Sequence, residues 1–104
     1  MATGVLGQAS IAAANTNQTI YTVPGSTTAT VNINLLNKAA TTCSVRVAIS
    51  AADTPTDAEY IEYGTVLPAN GVLERNGIAL NAAKKVVVHS TSTDVNVFVH
   101  GYEE

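Results

Sequence analysis

The side chains able to do chemistry in this chain are few and scattered. His89 and His100 are the two histidines, and Cys43 is the one cysteine. A zinc site needs three or four N, S or O ligands converging on one point. These three residues show no paired spacing of the C-x-x-C kind, and the histidines read as residues on the polar faces of strands. A thiol nucleophile would need a partner base and an oxyanion-binding loop beside it. The run Thr41-Thr42-Cys43-Ser44-Val45 has no glycine and reads as the start of a strand holding a half-buried structural thiol. Asp53, Asp57 and Glu59 crowd one segment, with Glu62 just beyond, and such oxygens suit a hard cation. Their spacing departs from an EF-hand loop, so the segment reads as a solvated connection with Asp and Thr caps, or as a contact for a neighbouring subunit. Tyr21, Tyr60, Tyr63 and Tyr102 offer rings on which a sugar could stack, although such rings are more often half-buried in sheets. A glycosidase would add two carboxylates across a groove. No such pair, nucleophile elbow, phosphate-binding loop or dinucleotide fingerprint stands in the sequence. The expectation is a protein that is not an enzyme and carries no metal and no cofactor.

The elements that would position these residues are strands. Val31, Ile33 and Leu35 alternate with Asn32 and Asn34, which puts three apolar side chains on one face and two amides on the other. Val45, Val47 and Ile49 repeat the pattern around Arg46. Val95, Val97 and Val99 repeat it again, with Asn96, Phe98 and His100 opposite. About eight strands are expected, near residues 3–12, 17–23, 27–37, 43–51, 59–67, 71–80, 84–90 and 94–102. Pro24-Gly25 suits a type II turn, and Pro68-Ala69-Asn70-Gly71 and Asn76-Gly77 read as further turns. Residues 37–42, 81–84 and 91–94 read as hairpin loops. No apolar stripe at helical spacing is long enough for a helix, and at most one turn is expected near Thr56 to Tyr60, capped by Thr54 or Thr56. The fold class is therefore all-β: one domain over residues 1–104, an antiparallel β-sandwich of jelly-roll or Ig-like type with little or no helix. A small closed barrel is the other way to finish such a sheet. Residues 1–14 read equally well as an N-terminal arm or as the first strand.

Composition narrows the class of function. The chain has 104 residues, 46% of them hydrophobic and 5% aromatic, with no Trp. Its core must be built from Val, Ile, Leu and Ala, the branched members of which favour strands. Charged residues make up 12%, about half the usual share. The surface must then be mostly Thr, Ser, Asn and Ala, which suits a subunit packed against others. The net charge is −3, and the five basic residues lie apart except for Lys84-Lys85. Phosphate backbones and anionic membranes select clustered Lys and Arg, so neither nucleic acid nor membrane is an expected partner. With one cysteine there is no intramolecular disulfide. Met1 to Ala14 has no basic n-region and no continuous apolar run, so no signal peptide or membrane span is expected there, and synthesis in a cytoplasm is.

The order Ile20-Tyr21-Thr22-Val23-Pro24-Gly25, Thr30 to Asn37, Val45 to Ile49, Asp57 to Tyr63, Val66 to Ile78, Lys84 to Val88 and Val97 to Glu104 resembles small virion structural proteins of tailed bacteriophages, particularly marine and cyanobacterial phages. The resemblance covers most of the chain and rests on the scaffold, not on a motif. It implies a non-enzymatic capsid decoration, or cement, protein, located in the virion and often trimeric. Its expected partners are the major capsid protein, other virion proteins and further copies of itself. Interface residues are expected among Val5, Leu6 and Ile11 of the N-terminal segment and Tyr60 and Tyr63. The alternative is a fibre or tail accessory module that binds a carbohydrate or receptor through Tyr60, Tyr63 or Tyr102 beside Asp or Asn donors.

Overall fold

A computed structural model describes residues 2–104. It contains eight strands: β1 (Thr3–Ser10), β2 (Gln18–Thr22), β3 (Ala29–Asn37), β4 (Cys43–Ser50), β5 (Tyr60–Leu67), β6 (Val72–Leu80), β7 (Lys85–Ser90) and β8 (Val95–Glu103). Among the described residues the helical structure is one 3₁₀ turn, Asp57–Glu59, with Thr56 at its N-cap. Each strand lies within a residue or two of the span that alternation and turn residues predict. In β3 the alternation is complete: Val31, Ile33 and Leu35 are buried, and Asn32, Asn34 and Leu36 are half-exposed.

The pairing is nested. β1 pairs with β8, β2 with β7, β3 with β6 and β4 with β5, all antiparallel. This is one long hairpin with its tip between β4 and β5. Rolling it up brings β3 against β8 and β4 against β7. The result is two four-stranded sheets, β1-β8-β3-β6 and β2-β7-β4-β5. That order is a jelly roll. It differs from the Ig-like order, in which the first two strands are neighbours in one sheet.

Three turn expectations fail for one reason. Residues 37–42, 81–84 and 91–94 do not close hairpins. Each carries the chain from one sheet to the other, and β4–β5 is the one connection that joins paired neighbours. Local turn chemistry reverses a chain, but it does not say whether the returning strand pairs beside its predecessor or across the sandwich. Asn76-Gly77 likewise makes no turn. It lies inside β6, where Gly77 has φ 69° and two residue steps of β3 (Val31 to Ile33) face three of β6 (Arg75 to Ile78). It is a β-bulge, the other structure that a left-handed glycine supports. At Pro24-Gly25 the left-handed residue is Ser26 (φ 59°), not the glycine.

The bulges follow a rule. Register shifts put extra residues in β1, β2, β5 and β6, and these are the four edge strands. The central pairs β3–β8 and β4–β7 run without a shift. A bulge twists an edge and interrupts its ladder, which discourages a foreign strand from adding there. The edges of β5 and β6 are further bridged across the sandwich by the ion pair of Glu62 and Arg75, with the Thr65 hydroxyl donating to Glu62 at 2.6 Å.

The core lies between the sheets. Val31, Ile33 and Leu35 of β3 and Val97 and Val99 of β8 meet Val45 and Val47 of β4 and Val86 and Val88 of β7. Polar groups inside it are satisfied. The fully buried Asn37 side chain donates to the carbonyls of Thr41 (2.8 Å), Leu67 (3.3 Å) and Pro68 (3.1 Å) and accepts from the Ala39 N–H (3.0 Å). It ties two crossing loops at one end of the sandwich. Ser50 and Ser90 do similar work where β4 and β7 end, each hydroxyl donating to a carbonyl two residues on, at 2.6 and 2.8 Å. At Gly101 the two backbones of β8 and β3 approach so closely that a Cβ would sit 2.0 Å from the Thr30 carbonyl oxygen.

Candidate interaction surfaces

The fold separates the residues that might have formed a reactive centre. His89 lies on the outer face of the β2-β7-β4-β5 sheet beside Arg46, and His100 lies on the outer face of the other sheet beside Asn32. Cys43 is buried at the start of β4, and burial pushes its thiol pKa up, away from the thiolate. Among the described residues no group of three His, Cys, Asp or Glu side chains converges as metal ligands would.

The acidic segment is also dispersed by its partners. Glu59 accepts from the N–H groups of Thr56 (2.8 Å) and Ala51 (3.0 Å) and from the Ser50 hydroxyl (3.1 Å). These bonds to the charged form, those of Thr56 and Ala51 foremost, pull its pKa down to about 2. Glu59 is the organiser of the β4–β5 loop. Asp53 accepts from the Thr19 hydroxyl of β2 at 2.5 Å and lies 3.7 Å from the Lys85 ammonium. The loop is thereby tied across the outer face of its sheet. Below it runs a register row of Thr19, Val87, Ala48 and Tyr60, in which Val87 is 1% and Ala48 0% exposed. This accounts for the unbroken run Val86-Val87-Val88: β7 is buried on both faces.

Tyr60 and Tyr63 are brought together on this face. Their rings meet edge to face with centroids 5.0 Å apart, and the Arg46 guanidinium lies 4.3 Å over the Tyr63 ring. Asp57, Tyr60 and Tyr63 line a depression of about 430 Å³. Beside Arg46, His89 has its pKa lowered by burial and by that positive charge. Tyr63 is 63% and Val66 61% exposed, and the bulge residue Ile61 and Val72 of β6 are exposed too. Ile61, Tyr63 and Val66 thus lie along the edge strand β5, while Val72 is the register partner of Leu36 on the other sheet.

The N-terminal residues expected at an interface are placed differently from one another. Residues 3–10 lie in the sandwich as its first strand, paired along β8. Val5 is exposed, Leu6 packs partly against the core, and Ile11 is 3% exposed and belongs to the core. Ile11 therefore serves the interior, because its N–H donates to the Val95 carbonyl (2.9 Å) and carries its side chain between the sheets. Tyr102 is exposed at the far end of β8. Tyr21 is buried and donates its hydroxyl to Glu103, which joins β2 to β8; burial foremost, and then this bond, pushes its pKa well up.

The surface that the sequence reading missed is a trough on the outer face of the β1-β8-β3-β6 sheet. It has a volume of about 610 Å³ and is lined by Gln8, Ser10, Asn34, Leu36, Asn96, Phe98 and His100, with Ala9 and Val97 beneath. Its cross-strand rows are Ser10–Asn96–Leu36 and Gln8–Phe98–Asn34. The Ser10 hydroxyl donates to Asn96 Oδ1 at 2.7 Å, and the Phe98 and His100 rings lie 5.4 Å apart. The signal was present as the polar half of the alternation in β3 and β8, but only the pairing of β3 with β8 puts those halves side by side.

The fold and its surfaces define a jelly-roll β-sandwich with two chemically distinct outer faces. Comparison with known proteins gives no match to a family model, to a curated protein or to a solved structure. The likeness to phage virion proteins rests on the sequence pattern alone.

Proposed function

We propose that the chain is a non-enzymatic structural subunit of a phage virion, a capsid decoration protein that stabilises the lattice by binding the major capsid protein and further copies of itself. The observation that carries the reading is the row of exposed apolar side chains on the edge strand β5, Ile61, Tyr63 and Val66, in a chain with only 12% charged residues. Apolar side chains grouped on one side of a small domain favour burial against a partner. The jelly roll agrees with it, being an architecture used for capsid domains. The bulged edges agree as well, since they direct association toward faces and loops and away from uncontrolled strand addition. Three copies around an axis would each bury this row, and a small domain gains stability from such burial.

The test is the mass of the protein in solution by sedimentation equilibrium, followed by co-sedimentation with capsids lacking it. A trimer that sediments with the capsids is expected, and Tyr63→Glu with Val66→Glu should reduce both trimer and capsid-bound protein. A strict monomer that stays in the supernatant overturns the proposal.

A further inference from the structure

We propose that the trough on the outer face of the β1-β8-β3-β6 sheet is a binding site for a neutral oligosaccharide. Phe98 is its stacking platform, and the amides of Gln8, Asn34 and Asn96 are its hydroxyl partners. The ligand class follows from the lining. No Lys, Arg, Asp or Glu lines the trough, and Glu74 stands at its β6 rim as the register partner of Asn34. Anionic ligands, including acidic sugars and phosphates, therefore find no fixed positive charge, His100 being the one basic side chain of the lining, and one like charge at the rim. A sugar hydroxyl both donates and accepts, and a side-chain amide answers both. Among the described residues no protein hydrogen bond engages the side-chain amides of Gln8 or Asn34, while Asn96 spends its oxygen on Ser10 and keeps its NH₂ group to donate. The half-buried Phe98 ring is held between them and offers an apolar surface to the C–H face of a pyranose. The site crosses three strands, about 10 Å from β1 to β3, which matches a disaccharide. Its volume falls within the range of small-ligand sites. An apolar protein partner would leave the free amides unpaired on burial, which a hydroxyl-rich ligand does not. The contrast with the Tyr60–Tyr63 face is chemical, since that face carries Arg46 and Asp57 and is not neutral.

The proposal is independent of the virion role, so its failure leaves that role standing. The experiment is a microarray of neutral and acidic glycans probed with the whole chain, then calorimetric titration with the strongest neutral hit. Neutral glycans should bind. Phe98→Ala should weaken the titrated affinity about tenfold, the effect of losing roughly one aromatic contact. Tyr63→Ala and Arg46→Ala should leave it unchanged. If Phe98→Ala melts early, Gln8→Ala with Asn34→Ala carries the same test, because it truncates only surface amides. An array with no neutral hit, or with acidic hits alone, overturns the proposal. So does binding that survives the trough variants and is lost with Tyr63→Ala. An oligomer that Phe98→Ala dissociates, without glycan binding, would assign the trough to a second copy and overturn it too.

Discussion

The two outer faces of this sandwich start from the same pattern and end differently. Both are built from the outward half of the strand residues, with Val87 and Ala48 on one and Asn34, Asn96 and Phe98 on the other. On the β2-β7-β4-β5 sheet a loop is tied down over that half by Thr19, Asp53 and Lys85, and Val87 and Ala48 vanish from solvent. On the β1-β8-β3-β6 sheet nothing comparable covers Asn34, Asn96 and Phe98 among the described residues, and the face remains a trough. A face becomes a second small core when a loop reaches over it, and it stays open to solvent when none does.

The sharpest way to break this contrast is to place the same chemistry on each face. Val87→Asn puts an unpartnered amide where no water reaches and should cost about 3 kcal/mol. At about 4–8 °C per kcal/mol for a domain of this size, the melting temperature should fall by more than about 12 °C. Asn34→Ala on the open face should change stability by less than about 0.5 kcal/mol. Equal losses in a thermal melt would show that the two faces are not different in kind.

The tie itself is the next target. Asp53→Ala removes the acceptor of the Thr19 hydroxyl and should cost about 1 kcal/mol. It should also speed amide hydrogen exchange in 51–57 while leaving 96–100 unchanged. An unaltered exchange pattern would mean the loop is held by something else.

Acid should also act on the covered face first. His89 has a folded-state pKa below its usual value, through burial and then through Arg46. Its contribution is therefore complete above the unfolded value, near 6.5, and is lost as pH falls through and below it. Glu59, with its pKa lowered from 4.5 to about 2, is a second depressed group whose contribution is lost between those values. Stability measured by denaturant titration should decline in these two windows, and His89→Gln should flatten the upper one only. An upper window that persists in His89→Gln would assign it to another group.

The smallest effect belongs to the stack at the border of the two environments. Arg46→Ala removes the cation over Tyr63 at a largely exposed site and should cost about 0.5 kcal/mol. A chemical-denaturation midpoint resolves it, and a loss above about 2 kcal/mol would show that Arg46 acts through His89 or the loop as well.

Much of the scaffold was legible residue by residue. The alternation in Thr30 to Leu36 and in Val95 to His100 marks the strands and even the face each residue takes, because the two-residue period is a local property of extended backbone. The single turn after Thr56 was legible for the same local reason. Asn76-Gly77 was not, since a left-handed glycine serves a turn and a bulge equally and only the partner strand decides. Tyr60 and Tyr63 were legible as candidates, and β5 does bring them together. Ile11 was misplaced because a short apolar residue in an alanine-rich stretch looks alike in an arm and at a strand end. Phe98, Asn34 and Gln8 were invisible as a site because each comes from a different strand.

The sequence by itself determined an all-β chain of about eight strands with an aliphatic core and a surface poor in charge. Those properties follow from side-chain volume, branching and a period of two, all of which act over a few residues. The tertiary structure alone decided that the strands nest as a rolled hairpin, that every bulge falls on an edge, and that one outer face is covered while the other stays open. Pairing β3 with β8 joins residues 58 to 74 positions apart, and that choice is made by the shape of two apolar faces closing on each other.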